Sequence, residues 1–256
     1  MDFVLRSITK EGINLIEMYP AETAERRPMV ILVHGYMGQK EFVMAQAYNL
    51  ARHGFFVVFP DAYNHGERNS GQVPNFFESV LKTTEEINIL IGSYEGDARV
   101  DISRVGIAGY SMGGCIVLNY LAGPDKQVKA AVPVIATPDW VSIISTGIVQ
   151  DQLKSLGIVK SDEEMEKYFC MAEQLQPLNR ISSMKDIPML ILNGDVDPII
   201  PIENVREFYK QLKELYTCGD DIKLIEYKGT GHADTVQMNM ELAGWFEKYL
   251  KPTCNL

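Results

Sequence analysis

The segment Gly109-Tyr110-Ser111-Met112-Gly113 sets a serine between glycines, directly after the apolar run Val105–Ala108 and directly before the helix-like Cys115–Ala122. A strand that reverses into a helix within one or two residues strains the residue at the apex and demands glycine around it. The same geometry lifts the serine hydroxyl clear of the backbone at the positive end of the helix. Such a residue can attack a carbonyl carbon. A serine hydroxyl is a poor nucleophile at neutral pH, so it needs a base, and the base needs a carboxylate that fixes its tautomer and stabilises its charge.

The chain contains four histidines: His34, His53, His65 and His232. His34 follows the strand-like Met29–Val33, His53 closes a helix-like segment, and His65 lies in a loop before the serine. His232, in Gly229-Thr230-Gly231-His232-Ala233-Asp234 between the strand-like Lys223–Tyr227 and the last helix, is the natural base. The acid is expected between serine and histidine in chain order. Met189-Leu190-Ile191-Leu192 reads as a doubly covered parallel strand and runs into Asn193-Gly194-Asp195-Val196-Asp197-Pro198. Asp197, held before a proline, is the candidate acid. Asp195 beside Gly194 reads as a turn-stabilising residue.

These residues require strands that end near one another. Val4–Thr9 and Asn14–Met18, separated by Glu11-Gly12, read as an opening hairpin. Met29–Val33, Phe55–Phe59, Val105–Ala108, Ala130–Val134, Met189–Leu192 and Lys223–Tyr227 read as core strands. Between them, Glu41–Arg52, Asn75–Gly92, Met112–Ala122, Ile202–Leu215 and Thr235–Leu250 carry helical periodicity, the alternation of a mostly parallel sheet in one domain over 1–256. Residues 137–185 are too long for a simple crossover and contain amphipathic, aromatic stretches around Trp140 and Tyr168. They are expected to form a small helical cap over the strand ends, where open α/β sheets bind ligands.

The chain resembles the α/β-hydrolase superfamily along essentially its whole length. The stretch from Pro28 through His34-Gly35-Tyr36 to Gly38 resembles its His-Gly oxyanion strand and loop. Arg104–Gly114, preceded by Asp101, resembles the elbow of the prolyl-oligopeptidase-like and dienelactone-hydrolase-like branches. Gly194-x-x-Asp197-x-x-Ile200-Pro201 and Gly231-His232 match the acid and base segments of the same group. Asp61-Ala62-Tyr63-Asn64-His65-Gly66-Glu67-Arg68 is similar to a loop of small bacterial carboxylesterases.

The resemblance implies an α/β-hydrolase fold: a mostly parallel eight-stranded sheet with helices on both faces. It implies a serine hydrolase that cleaves small carboxylic esters through an acyl-enzyme, with Ser111, Asp197 and His232 as catalytic residues and no cofactor. The backbone N–H groups of Tyr36 and Met112 would hold the oxyanion. Dienelactone hydrolases proper carry a cysteine at the elbow, and Ser111 favours an ordinary acyl-serine route instead. Prolyl oligopeptidases place a propeller domain ahead of the catalytic one, whereas only some 28 residues precede the first core strand here, which disfavours long peptides. Alternatives on the same fold are a thioesterase or acyltransferase, a small-amide peptidase, and a noncatalytic ligand-binding relative.

Tyr36, Tyr63, His65, Phe76 and Trp140 fall near the predicted strand ends and are candidate pocket residues; aromatic walls would suit a short acyl or aryl-acyl group. His65 either hydrogen-bonds a substrate oxygen or braces its loop against Asp61. At 256 residues, 46% hydrophobic and with net charge −10, the composition fits one enzyme domain and argues against nucleic acid or an anionic membrane as partner. The N-terminus lacks a basic region followed by an apolar stretch, and no apolar run approaches membrane-spanning length. Cys115, Cys170, Cys218 and Cys254 form no C-x-x-C pair, and no metal or dinucleotide motif is present. The expectation is a cytoplasmic enzyme without metal, acting on a small-molecule ester, with Cys115 structural.

Overall fold

The computed structural model describes residues 2–22 and 26–251; Cys254 lies outside them. Glu11 and Gly12, with φ of 50° and 76°, make the two-residue turn between β1 (Phe3–Lys10) and β2 (Ile13–Pro20). Positive φ at both central residues matches the twist of the flanking strands. The remaining strands are β3 (Arg27–Val33), β4 (Phe56–Pro60), β5 (Val100–Tyr110), β6 (Ala130–Val134), β7 (Met189–Gly194) and β8 (Ile222–Tyr227). They form one eight-stranded sheet in the order β1-β2-β4-β3-β5-β6-β7-β8. β2 is antiparallel to both β1 and β4, and every pairing from β4 to β8 is parallel.

Strand side chains alternate between two cores, as a period of two requires. Met29, Ile31, Val33, Phe56 and Val58 face the layer built by α2 (Phe76–Gly92), α3 (Met112–Leu121) and α7 (Ile202–Lys213). Val30, Leu32, Val57 and Phe59 face α1 (Met44–Arg52) and α8 (Val236–Leu250). Both faces of the central strands are therefore buried, which is why they read as unbroken apolar runs.

Two elements start three or more residues from the sequence expectation. β5 begins at Val100 rather than Val105, because the register with β3 shifts between Pro28 and Met29 and accommodates the polar Asp101–Arg104 stretch. Arg104 Nε donates to Asp101 at 2.6 Å and fixes that irregularity. The helix expected from Glu41 starts at Met44, since Lys40–Val43 forms a 3-10 turn that turns Lys40 into the interior.

Residues 137–185 hold α4 (Trp140–Ser145), α5 (Gly147–Ser155), α6 (Asp162–Leu175) and 3-10 turns at Pro177–Met184. Each of the three helices starts at a side chain that accepts a backbone N–H: Asp139 from Ser142, Thr146 from Val149 and Ser161 from Glu164. Aromatic contacts dock this segment on the start of α2, with Phe77 ring centroids 5.7 Å from Trp140 and 4.7 Å from Tyr168.

Candidate active site

Ser111 sits between the last residue of β5 and the first of α3 with φ 54° and ψ −114°, a conformation that costs a side-chain-bearing residue energy. The surroundings over-determine it. Ser111 N–H donates to the Val134 carbonyl at 3.0 Å, tying the elbow to the end of β6, and its own carbonyl accepts from Cys115 N–H at 2.9 Å. Gly109 and Gly113 pass so close that a Cβ on Gly109 would overlap the Gly113 backbone, and one on Gly113 would overlap the Val33 carbonyl. Glycine at both positions is thus a packing requirement of the turn.

The His232 loop after β8 and the Asp197 loop after β7 converge on this serine. His232 Nε2 is 2.9 Å from Ser111 Oγ, and His232 Nδ1 is 2.8 Å from Asp197 Oδ2. With Nδ1–H donating to the carboxylate, Nε2 presents its lone pair to the serine hydroxyl. The Asp197 side chain is fully buried, and its other oxygen, Oδ1, accepts the N–H groups of Ile199 and Ile200 at 2.8 and 2.9 Å. The buried carboxylate is thereby solvated by donors and held in orientation. Asp195 points elsewhere: Oδ1 accepts from Gly229 N–H at 2.6 Å, and Val196 N–H donates to Thr230 O at 3.2 Å, joining the two loops.

Across the cavity lies the loop after β3. A Cβ built on Gly35 would stand 3.5 Å from Ser111 Cβ, so this loop runs against the serine. The Gly35 carbonyl accepts from His34 Nδ1–H at 2.8 Å and from Gly38 N–H at 3.1 Å. In a trans peptide the C=O and the following N–H point in opposite directions, so pinning Gly35 O sets the direction of Tyr36 N–H. Met112 is the first residue of α3, and its N–H has no intrahelical acceptor. Tyr36 and Met112 both line the cavity with Ser111 and His232.

His34 is wholly buried, and its Nε2 accepts Ala62 N–H at 3.0 Å. Burial pushes its pKa down from 6.5 to about 4, so the ring is neutral and can donate on one side while accepting on the other. A second tie joins the same two loops: Lys40 N and Nζ each lie 2.8 Å from the buried Asp61 carboxylate, which also accepts Glu67 N–H at 3.1 Å. Burial opposes the Lys40 charge, but hydrogen bonds to Asp61, Glu67 and Glu41 outweigh it and raise its pKa. This network accounts for the Asp61–Gly66 motif.

Of the expected pocket residues, Tyr36, Phe76 and Trp140 line the cavity beside Ser111, whereas Tyr63 and His65 do not. His65 is turned inward: it is 1% exposed, its Nδ1 donates to Tyr63 O at 2.9 Å, and its ring packs 5.7 Å from Tyr36. His65 makes no hydrogen bond to Asp61, whose carboxylate is held by Lys40 and Glu67 N–H instead, and its Nε2 is buried without a hydrogen-bond partner. Tyr63 N–H donates to Thr83 at 2.9 Å, and its ring lies under the Arg68 guanidinium at 5.7 Å, which keeps it against α2.

Sequence reasoning missed Ile143, Ile144, Leu153, Tyr168, Ile199 and Ile200 as cavity walls. The last two follow the candidate acid directly and could have been found on that ground. Cys115, expected to be structural, lies one turn of α3 beyond Ser111, lines the cavity, and has its thiol pushed up to about 12 by burial. It is an unreactive wall rather than a nucleophile. Among the described residues, no group of three or more His, Cys, Asp or Glu side chains could hold a metal ion, and no helix is long and apolar enough to cross a membrane.

The sheet order, the strained serine elbow and the loops converging on it define an α/β hydrolase. The chain belongs to the dienelactone hydrolase family, whose model matches residues 16–243, and it is a hydrolase. It is 30% identical to "Putative esterase YitV" of Bacillus subtilis across 94% of this chain and 97% of that one. Among solved structures it is similar to TT1662 from Thermus thermophilus, with a TM-score of 0.75 and 21% identity over 98% of this chain and 100% of that one. Pyrococcus horikoshii acylaminoacyl peptidase shares the fold with a TM-score of 0.74 and 18% identity over 97% of this chain and 42% of that one.

Proposed function

We propose that the chain is a serine esterase that hydrolyses small carboxylic esters through an acyl-serine intermediate. The observation that carries this reading is the unbroken relay from Asp197 through His232 to Ser111, with contacts of 2.8 and 2.9 Å, opening on a cavity of about 460 Å³. Ser111 Oγ bonds to the ester carbonyl carbon as its proton passes to His232 Nε2. Asp197 holds the ring and stabilises the imidazolium. The carbonyl oxygen becomes an oxyanion between the N–H groups of Tyr36 and Met112, at the positive end of α3. Collapse breaks the carbon–oxygen bond to the alcohol, which leaves with the His232 proton. Water then gives a proton to His232 and its oxygen to the acyl carbon, releasing the carboxylic acid and restoring Ser111. The helices of 137–185 act in this scheme as a cap over the acyl site.

The test is p-nitrophenyl butyrate hydrolysis by wild type and Ser111→Ala, with labelling by an alkyl fluorophosphonate. Loss of at least about 10⁴-fold in kcat and complete loss of labelling, with thermal unfolding unchanged, is the expected result. Turnover near wild type in the mutant would remove Ser111 as the nucleophile.

A further inference from the structure

Among the described residues, the walls of the cavity contain no Asp, Glu, Lys or Arg. Besides His232, its titratable groups are the Tyr36 and Tyr168 phenols and the Cys115 thiol, all raised by burial and therefore neutral at neutral pH. The cavity also has a direction. Trp140, Ile144, Cys115 and Tyr168 are buried and form its closed end, whereas Met37, Gln152, Ser155 and Leu156 are exposed and form its mouth.

His232 must hand a proton to the departing alcohol, and its side chain is 19% exposed, so the alcohol leaves toward solvent and the acyl group takes the closed end. Taking a methylene as about the size of a water molecule, roughly 30 Å³, the cavity of about 460 Å³ holds on the order of fifteen such groups. Seating the ester group and the head of the alcohol leaves room for an acyl chain of roughly six to ten carbons.

We infer that the acyl side of the substrate is an uncharged, apolar group of medium length seated against α4, α5 and α6, and that acyl chains ending in a carboxylate are rejected. This inference rests on the ester-hydrolase reading above. A terminal carboxylate would lose its hydration with no cation to pair with it, and the buried Asp197 carboxylate behind His232 adds repulsion. An alkyl or phenyl end replaces water on Ile143, Ile144 and Leu153 instead, gaining with each methylene buried.

The experiment compares p-nitrophenyl esters from acetate to laurate with mono-p-nitrophenyl suberate, which matches the octanoate in length but ends in a carboxylate. Wild type is run beside Ser111→Ala, Val149→Trp and Ile144→Ala. Val149 is half-buried on α5 and lines the cavity, so a larger ring there fills the pocket with less risk to folding than a change in the sheet.

In wild type, kcat/KM should rise about fourfold per methylene up to an optimum near the octanoate. The suberate should run about 100-fold or more below the octanoate. Val149→Trp should move the optimum to shorter chains and Ile144→Ala to longer ones. Ser111-dependent hydrolysis that is fastest on acetate, equal rates on octanoate and suberate, or an optimum moved by neither folded variant would overturn the inference while leaving the esterase reading intact. Failure of folded wild type to hydrolyse any of the esters in a Ser111-dependent way would overturn both.

Discussion

The strand-end loops and the helices of 137–185 are built by different means. In the loops, polar atoms find defined partners: both Asp197 oxygens accept hydrogen bonds, Asp195 ties its loop to Gly229, and His34 and Lys40 tie the loop after β3 to the loop after β4. The inserted helices pack through apolar and aromatic contact, with polar ties to the rest of the molecule near the two ends of the segment, Asn204 to Asp139 at 3.1 Å and Arg180 to Asn119 at 2.9 Å. α5 packs chiefly on α4, opens on Gly147 and is followed by Gly157, and at both glycines an added Cβ would meet nothing within 4 Å. Hydrogen-bond networks demand direction and distance, whereas apolar packing tolerates changes of similar volume. The first kind of region suits a reaction that depends on positions fixed to tenths of an ångström. The second suits a specificity that can be rewritten without disturbing the reaction.

The largest expected effect breaks the directional side of this comparison. Asp197→Asn keeps an oxygen for the Ile199 and Ile200 N–H groups, so the loop should stay folded, but its amide cannot accept the His232 Nδ1 proton as a carboxylate does. The imidazole then loses both its tautomer and its counter-charge, and kcat should fall about 10⁴-fold with KM little changed. Steady-state kinetics beside thermal unfolding check this. A loss under about tenfold would mean that burial rather than charge is what Asp197 supplies.

A smaller effect is expected one step behind the oxyanion site. His34 acts through the Gly35–Tyr36 peptide, so His34→Leu should lower kcat about 10²-fold at nearly constant KM. His34→Asn, whose amide can still donate to Gly35 O, should recover part of it. The same ring predicts a pH effect on stability. Unfolded, it takes a proton near 6.5, whereas folded it does so only near 4. Its contribution is therefore complete above pH 6.5 and is lost as pH falls toward 4, by about 3 kcal/mol in all. Urea unfolding across this window should show a shallower pH slope in His34→Leu than in wild type. Equal slopes would place the acid sensitivity in other groups.

The two regions also differed in how far they could be read from the chain. Ser111, Asp197 and His232 were legible because a strand-to-helix reversal, a proline and a glycine-rich turn constrain the local backbone, and the structure brings the three together. The core strands were legible because both of their faces are buried. What the sequence could not show was direction. Tyr63 and His65 have the right types in the right loop, yet local contacts with Thr83, Arg68 and Tyr36 turn them away from the cavity. The start of β5 was hidden because a register shift admits polar residues, and the walls from α4 to α6 other than Trp140 were hidden because tertiary packing alone decides which apolar face of a short helix meets the site.

The smallest expected effect sharpens that last point. Phe76 and Tyr63 are both aromatic and both precede or open α2, but Phe76 lines the cavity 5.8 Å from Trp140, while Tyr63 stacks under Arg68. Phe76→Ala should lower kcat/KM for p-nitrophenyl butyrate about tenfold by removing a wall of the acyl site. Tyr63→Ala should change it less than about twofold and should instead reduce stability by about 1 kcal/mol through the lost cation–π contact. Opposite results, with Tyr63→Ala impairing turnover and Phe76→Ala neutral, would mean that the loop after β4 rearranges when substrate binds. The boundary between the fixed and the adaptable region would then have to be drawn through that loop rather than at residue 137.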